Sequence, residues 1–325
     1  MNHKEVLKER KNFLYKVIFF VILLMFAGFM YIESNMLIDA VYFGVVLILF
    51  IRFLIIKLYH WYGIIFLVIL MLIDSHCHVL NSEYDNINEI IENAREKGVQ
   101  KIIINGYDIK TSVDAVEIAN KYEDVYAAIG IGPESVNDFG KEDINILNDL
   151  ISHPKVVAIG EIGLDYYWTK ENEKEQRNVF RLMLELAKNN NLPVIVHSRN
   201  SIEQTYNLLK NYGVQGIMHC YSGSFEMAKK FINLGFLIGV GGIITFKNSK
   251  KINDVVKNID LKHVALETDS PYLTPEPYRG KKNEPSYVPL IASKIAEIKE
   301  VSYDEVAVTT SKAVMLKFDL KWNLW

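Results

Sequence analysis

Only two cysteines occur in 325 residues. That number excludes a small secreted module built on disulfides, and neither cysteine sits in a zinc-finger spacing. A basic surplus is also missing. The formal net charge is -3, so the chain lacks the footprint of a protein that wraps nucleic acid by broad electrostatic attraction. This leaves open a site that attracts phosphate through bound metal ions. With 23% charged residues and abundant Leu, Ile and Phe, the sequence is not that of a disordered chain. Its length fits two units, one of them a barrel of about 250 residues.

The hydrophobic residues are unevenly spread. Residues 1–70 hold seven Lys or Arg and four Asp or Glu, whereas residues 71–325 hold 29 and 35. Two apolar runs in the first part, Val17 to Ile32 (extended upstream by Phe13, Leu14 and Tyr15) and Met36 to Ile56, approach the length of about 20 residues that spans a bilayer. Lys4, Lys8, Arg10, Lys11 and Lys16 precede the first, and Arg52 and Lys57 close the second. The positive-inside rule therefore predicts a transmembrane helical hairpin, with membrane contact through residues 13–56 and the rest of the chain in the cytoplasm. No small-residue cleavage site follows either run. A third run, Leu58 to Ile73, merges with a strand and leaves too little to span. A second reading makes Met71 the initiator of a cytoplasmic protein, with residues 1–70 upstream of a misplaced start.

From residue 71 onward, short apolar runs alternate with amphipathic stretches. Strands are expected at 71–76, 101–105, 125–130, 156–160, 193–197, 215–219, 236–240 and 263–268. Helices are expected at 87–98, 111–122, 141–151, 173–190, 201–211, 224–234 and 249–258, with another at 287–299 after the last strand. Apolar runs without alternation indicate strands buried on both faces, as in parallel sheets. Eight such units predict an α/β fold of the (β/α)8 TIM-barrel type over 71–325. No glycine-rich nucleotide fingerprint follows the first strand, which disfavours an open doubly wound sheet.

In such barrels the chemistry lies at the carboxyl ends of the strands, and the polar residues cluster there. Strand one ends in Asp74-Ser75-His76-Cys77-His78, where alternation turns Asp74, His76 and His78 to one side. Two neutral imidazoles at that spacing can hold one metal ion, with Asp74 behind them to orient a ligand. Glu161 stands between Gly160 and Gly163 at the end of strand four, His197 ends strand five, His219 ends strand six, and Asp269 tops strand eight. Six potential ligands from five strands thus face one end of the barrel. Cys77 and Cys220 alternate away from their histidine neighbours and read as reduced packing residues.

These stretches resemble the TatD-type metal-dependent deoxyribonucleases of the amidohydrolase superfamily. The resemblance rests on DSHCH (74–78), GEIGLDYY (160–167), PVIVHSR (193–199), HCYSGS (219–224), ETDSPYLTP (267–275) and RGKKNEPSYV (279–288). It covers most of residues 71–318 and none of the N-terminal segment, which is foreign to the family pattern. It implies two divalent ions, Mg²⁺, Mn²⁺ or Zn²⁺. His76, His78 and Asp269 would hold the first and His197 and His219 the second, with Glu161 bridging them. Two ions bring four positive charges against three from Glu161, Asp269 and a hydroxide, so the pocket attracts a phosphodiester despite an acidic body. Asp269 is the expected base for the attacking water.

Arg199, Arg279, Lys281 and Lys282 are candidates to clamp phosphate. Tyr166, Tyr167 and Trp168 are candidates to stack bases, and Asn283 and Glu284 to position the last loop. Where the family carries a histidine before a proline, residues 130–133 read Gly-Ile-Gly-Pro, so Gly132 replaces it. The expected activity is hydrolysis of DNA phosphodiester bonds, in single strands or from 3′ ends. Alternatives are another ester, such as that of a misacylated tRNA, and an inactive membrane-anchored scaffold.

Overall fold

The computed structural model describes residues 72–140 and 142–320. The expected hairpin and the alternative start at Met71 lie outside them. Among the described residues, no helix is long and apolar enough to cross a membrane. Eight parallel strands follow in sheet order as in sequence. They are β1 (Leu72–Cys77), β2 (Val99–Asn105), β3 (Val125–Ile129), β4 (Val156–Asp165), β5 (Val194–Arg199), β6 (Gly216–Met218), β7 (Phe236–Val240) and β8 (Val264–Leu266). The intervening helices are α1 (Ile87–Glu96), α2 (Ile109–Ala119), α3 (Asp143–Ile151), α4 (Glu173–Asn189), α5 (Ile202–Leu209), α6 (Phe225–Asn233) and α7 (Lys250–Asn258). After β8 come α8 (Val288–Lys299) and α9 (Tyr303–Lys317). This is the expected (β/α)8 architecture.

The core has two layers. Inside the barrel, Ile73, Ile103, Ala128, Ala158, Ile195, Ile217, Leu237 and Ala265 supply one apolar side chain from each strand, and Val314, Met315 and Phe318 of α9 and its end pack onto them. A larger cluster, including Ile102, Ile104, Phe180, Phe231 and Ile291, fills the space between barrel and helices. Continuous apolar strands follow from this double burial. Helix α9 begins at Ser302, whose hydroxyl accepts the Glu305 N–H at 3.1 Å. The Ser-x-x-Glu spacing at its start is the capping signature that marks it in sequence.

The last strand meets the first through a side chain. Thr268 donates its N–H to Asp74 Oδ1 at 3.0 Å and its hydroxyl to Asp74 Oδ2. Beyond it, Asp269 N–H donates to the His76 carbonyl at 3.0 Å and His78 N–H to the Ser270 carbonyl at 2.7 Å. The Asp74 carboxylate thus stands in for a ladder carbonyl at the seam, rather than orienting a metal ligand side chain as its position suggested. Burial pushes its carboxyl up to about 7 against the hydrogen bonds from Thr268 and His76. Asp74→Ala is expected to leave buried Thr268 donors unpaired, at a cost of about 1–3 kcal/mol each. Urea unfolding reads this directly, and an unchanged midpoint would contradict the role.

Candidate metal centre

Strict alternation does not deliver the ligands; local irregularities do. On β1, Ile73 faces the inner layer, so alternation would send Cys77 inward. The register shifts between Asp74 and Cys77, and Cys77 instead packs in the outer cluster. On β4 a second shift falls between Ile159 and Ile162, around Glu161. Such bulges re-aim side chains next to sites. β4 also runs on to Asp165, beyond the expected end at Gly160, because Gly163 lets β5 approach. A Cβ there would meet the His197 carbonyl oxygen at 2.0 Å, and its φ is +145°. β6 and β8 are shorter than expected, which leaves His219 and Asp269 just past their strand ends.

All six expected ligands come together. Nε2 of His76 lies 3.1 Å from Nε2 of His78, 3.5 Å from Glu161 Oε2 and 3.4 Å from Asp269 Oδ1. His78 Nε2 lies 3.3 Å and 3.7 Å from the same two oxygens. The edges of a tetrahedron around an ion bound at about 2.0–2.1 Å measure roughly 3.3–3.4 Å. These separations approach that value, and His76, His78 and Asp269, like His76, Glu161 and His219, bring ligand atoms close enough together to hold an ion. The other oxygen of Glu161 faces His197 Nδ1 at 2.9 Å, and His219 Nε2 lies 3.6 Å from Asp269 Oδ1. One carboxylate thus addresses two sets of imidazoles.

The opposite ring nitrogens of three of the four histidines face acceptors from behind, two of them in hydrogen bonds. His78 Nδ1 meets the Asn105 carbonyl at 2.9 Å, His197 Nε2 meets Asp165 Oδ2 at 2.9 Å, and His219 Nδ1 lies 3.2 Å from Glu267 Oε1. A carbonyl can only accept, so it keeps the proton on Nδ1 of His78 and the lone pair on Nε2, facing the centre. Acceptors behind ligating imidazoles fix tautomer and ring orientation in this way. Asp165 is itself gripped by Gln176, which accepts its N–H at 2.8 Å and donates Nε2 to its carbonyl at 2.9 Å. Asp165 and Glu267 are parts of the site that the sequence reading left without a role. Their signal was present, since each is a carboxylate at a strand end within four residues of a ligand.

Charge makes the same case. Four carboxylates, Glu161, Asp165, Glu267 and Asp269, surround four imidazoles. Burial alone would raise Glu161, but its hydrogen bonds with His197 and His78 hold it well below the usual range. Burial also opposes ionisation of Asp269, yet the neighbouring His219 and His76 keep it low. His76 is pushed down by burial and by the charge of His219. His78 rises because Glu161 outweighs burial. This cluster of anions needs cations at its centre, either protons or a metal ion.

The centre floors a cavity of about 860 Å³ whose wall includes His78, Glu161, His197, His219, Asp269 and Arg199. Arg199 lies 3.7 Å above the Tyr167 ring and 5.3 Å from that of Trp168. Tyr167 is half exposed and Trp168 is 67% exposed, whereas Tyr166 is buried and so offers no face to a base. Arg279 sits 3.8 Å over Phe246, and Lys282 donates to the Glu83 carbonyl beside Tyr84. Neither of these two, both expected to clamp phosphate, lines the cavity; the charged head of each rests over an aromatic ring, Phe246 for Arg279 and Tyr84 for Lys282. Asn283 has the expected structural role, donating to the carbonyls of Thr268 and Tyr272 at 2.8 and 2.6 Å and so bracing the segment that carries Asp269. Gly132 lines the cavity and leaves its wall without a side chain.

An eight-stranded α/β barrel with imidazoles and carboxylates converging at the carboxyl ends of its strands defines a metal-dependent hydrolase. The relatives of the chain agree. The family model for TatD related DNase matches residues 73–319, and the chain belongs to that family. It is 44% identical over 251 residues to the uncharacterized metal-dependent hydrolase YabD of Bacillus subtilis (strain 168), covering 76% of this chain and 98% of YabD. It is 32% identical over 249 residues to the uncharacterized metal-dependent hydrolase YcfH of Escherichia coli (strain K12), covering 74% and 93%. Among solved structures, YJJV, a TatD homolog from Escherichia coli K12, superposes with a TM-score of 0.72 at 30% identity, covering 77% of this chain and 98% of YJJV.

Proposed function

We propose that the chain is a deoxyribonuclease that hydrolyses phosphodiester bonds with two divalent ions. The observation that carries this reading is the Glu161 carboxylate, whose Oε2 faces His76 and His78 while its Oε1 faces His197. That disposition suits a bridge between one ion held with Asp269 and another held by His197 and His219. When bound, such ions lower the pKa of a water and neutralise charge at the scissile phosphate.

The chain's own groups do the rest. Asp269, whose Oδ1 faces the Nε2 atoms of three histidines at 3.4 to 3.7 Å, is the carboxylate that this reading assigns to accept the proton of the attacking water. Arg199 presents a guanidinium fork on the cavity wall, suited to a phosphate, and its stacking on Tyr167 limits its motion. The exposed faces of Tyr167 and Trp168 suit the bases of a single strand or of a frayed 3′ end. On the flanking charges alone, we propose further that residues 13–56 tether the barrel to the cytoplasmic side of a membrane.

The test is cleavage of labelled single- and double-stranded DNA by the full chain in detergent, with Mg²⁺, Mn²⁺ or EDTA, beside His197→Ala. Cleavage is expected to require metal and to vanish in the variant. Retained metal without cleavage of any DNA would overturn the nuclease reading and direct attention to other esters, misacylated tRNA among them. Failure to bind metal would favour the inactive scaffold.

A further inference from the structure

Aromatic residues stand on two sides of the metal centre, and the proposed function uses only one of them. Trp168 lines the cavity after β4, with Tyr167 beside it against Arg199 at the end of β5. Tyr107 follows β2 and Tyr272 follows β8, so this second pair flanks β1 and its His78. In a barrel whose eight strands keep their sequence order, β1 lies across from β5. We propose that Tyr107 and Tyr272 form a second base subsite, which takes the nucleobase on the other side of the scissile phosphate from the one at Trp168. The proposal rests on the nuclease reading above and extends it from one recognised nucleotide to two.

Both tyrosine rings stand edge-on to the His78 imidazole. Their centroids lie 5.5 Å from it for Tyr107 and 6.3 Å for Tyr272, at interplanar angles of 73° and 63°. His78 Nε2 in turn faces Glu161 and Asp269, so the tyrosines border the centre itself. Both line the cavity, and Tyr272 is 54% exposed. Other tyrosines are spent on structure: Tyr84 and Tyr221 are buried and donate their hydroxyls to the Asn283 and Ser224 carbonyls at 2.6 and 2.8 Å. The hydroxyls of Tyr107 and Tyr272 donate to no group among the described residues. Gly132 keeps the wall beside Tyr107 open. Its N–H donates to the Tyr107 carbonyl at 2.8 Å, and a Cβ there would crowd Tyr107 Cβ at 3.2 Å.

Charge divides the two sides in the same way. Among the described residues, Arg199 is the one Lys or Arg that lines the cavity, and it stands with Trp168, whereas Glu134 lines the cavity near the tyrosines. The tyrosine side therefore suits a neutral base better than a second phosphate. Aromatic faces accept any base by stacking, so this subsite reads no sequence. It does read shape. A phosphate at the centre, with one base drawn toward Trp168 and its neighbour toward Tyr107 and Tyr272, holds two adjacent bases unstacked and apart. A paired duplex cannot present them so without paying for unstacking and unpairing. The geometry thus selects single strands and frayed ends.

Short labelled oligothymidylates, each with one abasic residue at a successive position, would be given to the full chain in detergent. Trp168→Ala, Tyr272→Ala and the double variant Tyr107→Ala/Tyr272→Ala would be run beside it. In the wild type, kcat/KM is expected to fall by about tenfold or more when either nucleotide at the scissile phosphate lacks its base. The loss on one side is expected to vanish in the double tyrosine variant and the loss on the other in Trp168→Ala, with bound metal unchanged. Sensitivity to one side alone in the wild type, or to both sides in the double variant, would overturn the second subsite and leave the nuclease standing. Hydrolysis-resistant phosphorothioate oligonucleotides carrying one 2-aminopurine supply a readout independent of cleavage. Quenching of its fluorescence on binding is expected in the wild type and is expected to be lost at one position in the double variant. That pattern from a protein that cleaves no DNA would overturn the nuclease reading and keep the subsite; quenching that ignores the tyrosines would overturn the subsite. Should the double variant fail to fold by circular dichroism, Tyr272→Ala at its exposed position still decides, because the loss on its side must shrink.

Discussion

Glu161→Gln is expected to abolish metal-dependent DNA hydrolysis, by at least about a thousandfold, and to lower the bound divalent ion from two equivalents to one or none. The substitution keeps size and shape but removes the charge on which three histidines converge, His76, His78 and His197, at 2.9 to 3.5 Å. A neutral amide offers one weak oxygen where the carboxylate offers two, so it cannot join two ions. Folding is expected to survive. The Glu161 N–H donates to the Gly106 carbonyl at 2.7 Å, a bond that does not depend on the side chain. Metal analysis and a rate measurement on the same preparation check this, with circular dichroism for the fold. Wild-type activity in the variant, or two ions still bound, would end the bridging role.

The fold could be read closely from sequence because strands buried on both faces show as unbroken apolar runs, and each of the eight expected runs overlaps an observed strand. The gathering of six His and carboxylate residues was legible for a related reason: each stands at or just past a strand end, and a parallel barrel brings those ends to one face. What pattern could not show was direction. Alternation is a property of regular strands, and the site is built where the strands are irregular. The register shift ahead of Cys77 exchanges the faces of neighbouring residues, the left-handed backbone of Cys220 brings its thiol to the cavity wall, and that of Asp269, with φ +57°, lies at the turn beyond β8. The course of Arg279 and Lys282 away from the cavity wall has another physical reason. Nearness in sequence to a motif does not fix the course of a long side chain, and an adjacent aromatic ring or carbonyl captures it first.

Metal removal is expected to make the stability of the protein fall steeply with rising pH, an effect the loaded protein should lack. In the metal-free centre, burial disfavours the charged form of His197, but Asp165 and Glu161 outweigh it and push the imidazole up to about 10. His219 is likewise opposed by burial and carried to about 9 by Glu267 and Asp269. The ordinary imidazole value is 6.5, so the folded state binds these protons more tightly than the unfolded chain does. Their contribution is fully present below about pH 6.5 and is lost as pH rises through 9 and 10, at about 1.4 kcal/mol per pH unit for each imidazole. The physical cause is the unneutralised group of carboxylates left behind. For a barrel of this size, a loss of several kcal/mol corresponds to a fall in Tm of roughly 10 °C or more. Ligation needs neutral imidazole, so an ion takes the place of the protons and flattens the dependence, and its own affinity rises across the same interval. Thermal unfolding of chelator-treated and metal-loaded protein from about pH 6 to about pH 10 provides the measurement. A metal-free Tm that is level over that range would show that protons do not substitute for metal in this cluster, and the charge argument for the centre would fail with it.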